Sequence, residues 1–204
     1  LVGLAALFGL PVGFLAGLCL AERGDGRFGT VVRLTAEVLA SVPSVVVGLV
    51  AYGLLVVPLG RFSALAGAAA LALLLIAPVA RTTEEVLRLA PQTLREAALA
   101  LGVRPWRTSL FVVVPAALGG VLHAALLALS YVAGEAAPLL FTSLSNQHYS
   151  LRIDRPMASL PMQIYGDALA PLAQPRAFGA TLCLLILCGG LHLGARALRG
   201  AARR

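Results

Sequence analysis

Residues 62–80 read FSALAGAAALALLLIAPVA, an uncharged run bounded by Arg61 and Arg81. As a helix rising about 1.5 Å per residue, a run of this length covers roughly 30 Å, the hydrocarbon thickness of a bilayer. Four more uncharged runs lie on either side of it: Leu1 to Ala21, Val38 to Gly60, Thr108 to Gly134 and Ala177 to Ala195. Barrel strands would be shorter and would alternate apolar with polar, whereas these runs are apolar on every face, so helices must satisfy the backbone in lipid. Composition agrees, with 59% hydrophobic and 12% charged residues and a mean hydropathy of +0.91 over 204 residues. The pattern predicts an all-α polytopic membrane bundle with five transmembrane helices and lipid as its surroundings. It excludes an ordinary soluble fold.

All 16 basic residues are arginine and the net charge is +7. They flank the apolar runs instead of forming a stripe, so membrane topology explains them and nucleic acid is not a partner. Arginines gather around residues 23–33, 81–107 and 196–204 (Arg196, Arg199, Arg203, Arg204), while the alternate connections hold only Arg61, Arg152, Arg155 and Arg176. The positive-inside rule places the rich segments, and hence the C-terminus, in the cytoplasm. Counting back puts Leu1 outside, and a chain opening inside an apolar run predicts a missing first helix. The first run lacks the charged start and cleavage site of a leader. Cys19, Cys183 and Cys188 fall in spans as small apolar groups, and His123, His148 and His192 have no ligand spacing, so no metal site is expected.

Punctuation then sets the organisation. Glu22 to Glu37 reads as a short loop and an approach helix, and the second span begins near Ser41-Val42-Pro43-Ser44. The tight turn Leu59-Gly60-Arg61-Phe62-Ser63 makes spans two and three antiparallel neighbours. Residues 81–107 form the one sizeable cytoplasmic loop. Within it Pro91 starts and Gly102 stops a short helix whose Leu94, Ala97, Ala98 and Leu101 form one face, with Arg95 and Glu96 turned elsewhere. The proline-rich segment 135–176, with the polar string Thr142 to Gln147, predicts short helical pieces and loops near the outer surface.

The chain contains no lysine, so it cannot form the P-loop that reaches nucleotide phosphates. Energy from ATP must enter through another subunit, and the chain is not expected to be an enzyme. Adjacent Glu84 and Glu85 point about 100° apart on a helix and do not form a catalytic pair.

Glu96-Ala97-Ala98, Gly102 and then Val112 to Pro115 resemble the EAA motif of binding-protein-dependent ABC importer permeases. Val42-Pro43-Ser44, Arg81-Thr82-Thr83-Glu84-Glu85, Gly134-Glu135-Ala136-Ala137-Pro138-Leu139-Leu140-Phe141-Thr142 and Ala158-Ser159-Leu160-Pro161 are similar to the PstA-type phosphate permease family. The resemblance implies a MetI-like permease domain over residues 1–204 with six helices, the first not present. It implies a heterodimer with a PstC-type permease, two PstB-type ATPase subunits that use ATP and Mg, and a periplasmic phosphate-binding protein. No cofactor would be bound by this chain. Glu96, Ala97, Ala98 and Gly102 would couple it to the ATPase.

For an oxyanion path, the planar fork of Arg81 is the natural donor, with Glu84 at i+3 able to pair with it. The bland alternative is a boundary arginine paired with Glu84 or Glu85. Glu135, a carboxylate closing an uncharged run, is a second path candidate or else caps the next helix. Four residues before it, the family pattern carries arginine where this sequence has Tyr131, which supplies a single hydrogen-bond donor. Two other functions fit less of the sequence: a same-fold permease for phosphonate, sulfate or molybdate, and an ion-coupled secondary transporter or channel.

Overall fold

The computed structural model describes residues 1–24, 26–146 and 152–201, without the side chains of 198–201. Gln147, His148, Arg203, Arg204 and the Arg199 side chain lie outside the described set. In chain order the helices are α1 (Val2–Arg23), α2 (Arg27–Ser41), α3 (Ser44–Leu59), α4 (Ala64–Arg88), α5 (Gln92–Ala100), α6 (Pro105–Ala133), α7 (Ala137–Thr142), α8 (Leu160–Ala168) and α9 (Gln174–Ala201). Among the described residues there is no strand. Among the described residues four helices, α1, α4, α6 and α9, are long and apolar enough to cross a membrane; α2 with α3, bent by 101°, adds a fifth if the pair counts as one span.

The centre of the bundle is α4. Its first turn is capped by Ser63, whose hydroxyl accepts from the Ala66 amide at 3.2 Å, and by loop carbonyls of Ile153 and Arg155 that take the next free amides. α1 runs parallel to α4 and touches it through Gly9, Gly13 and Gly17, spaced by four along one face. A methyl added at Gly13 would sit 2.8 Å from Val79 Cβ and 2.9 Å from the Ile76 carbonyl. In lipid such small residues let backbones meet closely, where packing must replace the hydrophobic effect. Leu71, Leu75, Val79, Val132 and Leu139 fill the core between α1, α4, α6 and α7.

The second span differs from its expected bounds. Val38 to Ser41 belong to α2, because the residue before a proline is pushed out of helical geometry; Val42 is extended at φ −69°, ψ 127° and the helix restarts at Ser44. α3 is then roughly 24 Å long, short of a full bilayer crossing. Gly60, at φ +63°, closes the turn back to α4. α4 in turn does not stop at Ala80 but continues to Arg88, so the stretch 81–107 divides into the last two turns of a span, a separate helix and the start of α6. Segment 135–176 does form short helices, and α7 among them packs inward on the bundle: Leu139 is buried in the core and Gly48 of α3 packs against Pro138.

α9 is antiparallel to α6 and holds to it by a polar seam. Ser130 Oγ lies 3.1 Å from His192 Nδ1 and 3.4 Å from the Cys188 carbonyl, and buried His123 Nδ1 is 2.7 Å from the Ala195 carbonyl. His123 is thus a packed, hydrogen-bonded histidine.

Candidate functional site: a groove beside a charged latch

An open-sided cavity of about 520 Å³ lies where the α2–α3 bend faces α4 and α6. Val42 and Ser44 line it from the bend, Pro78, Arg81, Thr82 and Glu85 from α4, and Ala124, Ala128 and Tyr131 from α6. A second cavity of about 560 Å³ shares Thr82, Glu85, Ala124 and Leu127 with the first and continues past Gly120 to Pro91, the residue that opens α5. Together they make one groove along the α4–α6 cleft, from Tyr131 to the foot of α5. Pro78 has no amide to give the Leu74 carbonyl, and the Thr82 hydroxyl donates to the Pro78 carbonyl at 2.7 Å.

Arg81 and Tyr131 therefore share the groove, and Glu84 and Glu135 do not line it. The expected Arg81–Glu84 pair is not formed. Arg81 Nη2 instead donates to Glu37 Oε1 of α2 at 2.9 Å. Glu84 sits on the opposite face of α4, 9% exposed, and accepts from Arg33 Nη2 at 2.7 Å and Arg88 Nη2 at 3.1 Å. Arg88 Nη2 also donates to the Leu20 carbonyl of α1. The reason is the 101° bend, which brings the polar face of α2 across the end of α4 and offers both helix faces a closer partner than i+3. Glu135 is half-buried just beyond α6, one turn after Tyr131.

Sequence reasoning missed Arg33 and Glu37 as α4 partners and Thr82 as a groove residue. The signal was present: in α2, apolar Phe28, Val31, Leu34 and Val38 recur at helical spacing, which leaves Arg33 and Glu37 on the other face.

The α5 unit has the expected bounds. Pro91 opens it and Gly102, at φ +78°, ends it in a Schellman arrangement, with Val103 N donating to Ala98 O at 3.2 Å and Gly102 N to Leu99 O at 2.9 Å. Its packed face is not the expected one. Ala98 is buried and Leu94 half-buried, but Ala97 is exposed and Leu101 is 84% exposed. Arg95 turns inward, donating to Glu22 of α1 and to the Leu87 carbonyl of α4. An arginine that finds both a carboxylate and a helix-end carbonyl outcompetes a leucine for that face. Glu96, Ala97 and Leu101 are left outward as a free surface.

Comparison with known proteins converges on one family. The model of the binding-protein-dependent transport system inner membrane component family matches residues 9–200. The phosphate transport system permease protein PstA of Haemophilus influenzae is 45% identical over 193 residues, covering 92% of this chain and 68% of the relative. PstA of Yersinia pestis is 44% identical over 190 residues, covering 90% and 64%, and PstA 1 of Mycobacterium tuberculosis (strain H37Rv) is 40% identical over 208 residues, covering 99% and 67%. The chain thus spans about two thirds of the length of these relatives. An inward-facing structure of the MetNI methionine ABC transporter superposes with a TM-score of 0.78 at 21% identity, covering 100% of this chain and 89% of that one, which establishes the MetI-like fold. By its family match and its relatives, the chain belongs to the binding-protein-dependent transport system inner membrane components, as a PstA-type permease.

Proposed function

We propose that this chain is one wall of an ATP-driven import path for inorganic phosphate, completed by a PstC-type permease and powered by two PstB-type ATPase subunits, with a periplasmic phosphate-binding protein delivering the anion. The observation that carries the reading is the continuity of the groove with α5: Arg81 and Pro91 line adjoining cavities, and Arg95 ties α5 to both α1 and α4. A push on the outward surface of α5, at Glu96, Ala97 and Leu101, is then transmitted to the helices that line the path. Nucleotide and Mg act in the ATPase, and this chain supplies no group to hydrolysis.

Arg81 already gives an Nη2 donor to Glu37, so an oxyanion reaching this guanidinium competes with a carboxylate in place or shares the group with it. Glu85 adds a second carboxylate to the groove. This wall alone is therefore not electropositive, and an anion path requires donors from the facing permease. In this topology α5 and the C-terminus are cytoplasmic, as the arginine distribution favours.

The test is reconstitution of the chain with the three partners in liposomes, following labelled phosphate uptake and ATP hydrolysis together. Arg81→Gln is expected to abolish uptake with assembly intact, and Gly102→Val to leave hydrolysis running with transport lost, because valine resists positive φ. Uptake competed by sulfate or molybdate but not by phosphate would move the substrate to another oxyanion.

A further inference from the structure

We propose that the cleft between the end of α1 and the start of α6 is a binding site for an anionic phospholipid of the leaflet at the α5 end. This inference rests on the geometry of that end and not on the transport reading. The cleft encloses about 300 Å³, and Leu15, Leu18, Glu22 and Arg23 of α1 face Trp106 and Leu110 of α6 across it. Its polarity runs in one direction. Leu15 lies about 12 Å from Arg23 along the helix axis, so the cleft is aliphatic at depth and cationic at its mouth.

One guanidinium group lines the mouth and a second adjoins it through Trp106. Arg23 is the lining group, and Arg107 is stacked on the Trp106 ring with its Cζ 5.1 Å from the ring centre. Neither has a carboxylate partner among the described residues. The one acid in the wall, Glu22, is already paired with Arg95 of α5. The net field at the mouth is therefore positive, above a slot sized for part of an acyl chain, beside a tryptophan of the kind that settles at the bilayer interface. That combination selects a lipid phosphate without a neighbouring ammonium, because a zwitterionic headgroup brings its own cation to the two arginines. A soluble anion would leave the leucine-lined depth unused. Since Glu22 also anchors α5, a lipid seated here bears on the residue that holds the docking helix.

Trp106 is the only tryptophan of the chain, so it reports on its own cleft. The full chain is reconstituted in phosphatidylcholine vesicles containing increasing fractions of phosphatidylglycerol brominated on the acyl chain, or of phosphatidylcholine brominated in the same way. Brominated phosphatidylglycerol is expected to quench Trp106 at a mole fraction lower by about 25-fold, each arginine contributing about fivefold. The double variant Arg23→Gln, Arg107→Gln should bring the two curves together, while Arg176→Gln, at the start of α9, leaves them apart. Coincident curves for the two headgroups in the unaltered chain overturn the proposal without need of any variant. So does full competition by soluble glycerol phosphate, which would mean a headgroup site only, or loss of quenching on adding the ATPase subunit, which would give the cleft to protein.

Discussion

α4 is held in two ways. Toward α1 it is held mainly by shape, with Gly9, Gly13 and Gly17 against its backbone and the side chains of Leu75, Val79 and Thr83, and beyond the glycines by one polar tie, Arg88 Nη2 to the Leu20 carbonyl. Toward α2 it is held by charge, with Glu84 between Arg33 and Arg88 and Arg81 on Glu37. A close-packed seam has one arrangement, since any slip opens voids or drives atoms together. Ion pairs can change partner, and Glu84 already divides one oxygen between two guanidinium groups. The α1–α4 unit is thus built to move as one body, and the α2 contact to rearrange over it.

The sharpest way to break this contrast is Gly13→Leu. The added side chain meets Val79 and the Ile76 carbonyl with no flexible neighbour to yield, and overpacking of this kind costs about 3 kcal/mol. A lowered thermal midpoint in detergent, read by circular dichroism, is expected; an unchanged midpoint would mean that the seam is loose. Glu84→Gln should cost less, about 1.5 kcal/mol, because the two arginines it abandons are 37% and 45% exposed and water recovers part of the loss. Its distinctive sign is local: protease or thiol-reagent access to α2 rises while the α1–α4 unit keeps its protection. Ser130→Ala tests whether the polar α6–α9 seam belongs with the rigid or the exchangeable class. Interhelical hydrogen bonds in membranes average about 0.6 kcal/mol, so α9 is expected to remain docked with a small drop in midpoint.

What the sequence disclosed follows from how local each signal is. The apolar runs and the limits of α5 were legible because span length, Pro91 and Gly102 act within a few residues. The groove was half legible: Arg81 and Tyr131 stand out as polar groups bordering apolar runs, but the partner of Arg81, Glu37, depends on the bend between α2 and α3. Arg95 was misjudged because its value lies in Glu22 and the Leu87 carbonyl, which no periodicity within α5 can reveal. The triple-glycine spacing in α1 was readable but passed over, since in a run apolar on all faces glycine looks like filler until the neighbouring backbone is known.

The smallest expected effect lies at the end of α4 opposite to α5. There Arg152 donates to Asp154 through Nε and Nη2, both at 3.2 Å, and Arg61 stands 3.8 Å away, while the carbonyls of the same loop cap the first amides of α4. The Arg152 hydrogen bonds hold the Asp154 carboxyl below the usual carboxylate range. A depressed folded value means that the contribution is present above the unfolded value of about 3.9 and is lost as pH falls through the folded one. Acidification below about pH 4 should therefore loosen this loop before it disturbs the glycine seam, which carries no titratable group. Hydrogen exchange at the Ala64 and Leu65 amides, compared between pH 5 and pH 3 after correction for intrinsic rates, measures it. Arg152→Gln should shrink the pH difference; if it leaves a large one, the acid sensitivity of this end resides in another carboxyl and the Arg152–Asp154 pair is only decoration on a loop held by its backbone.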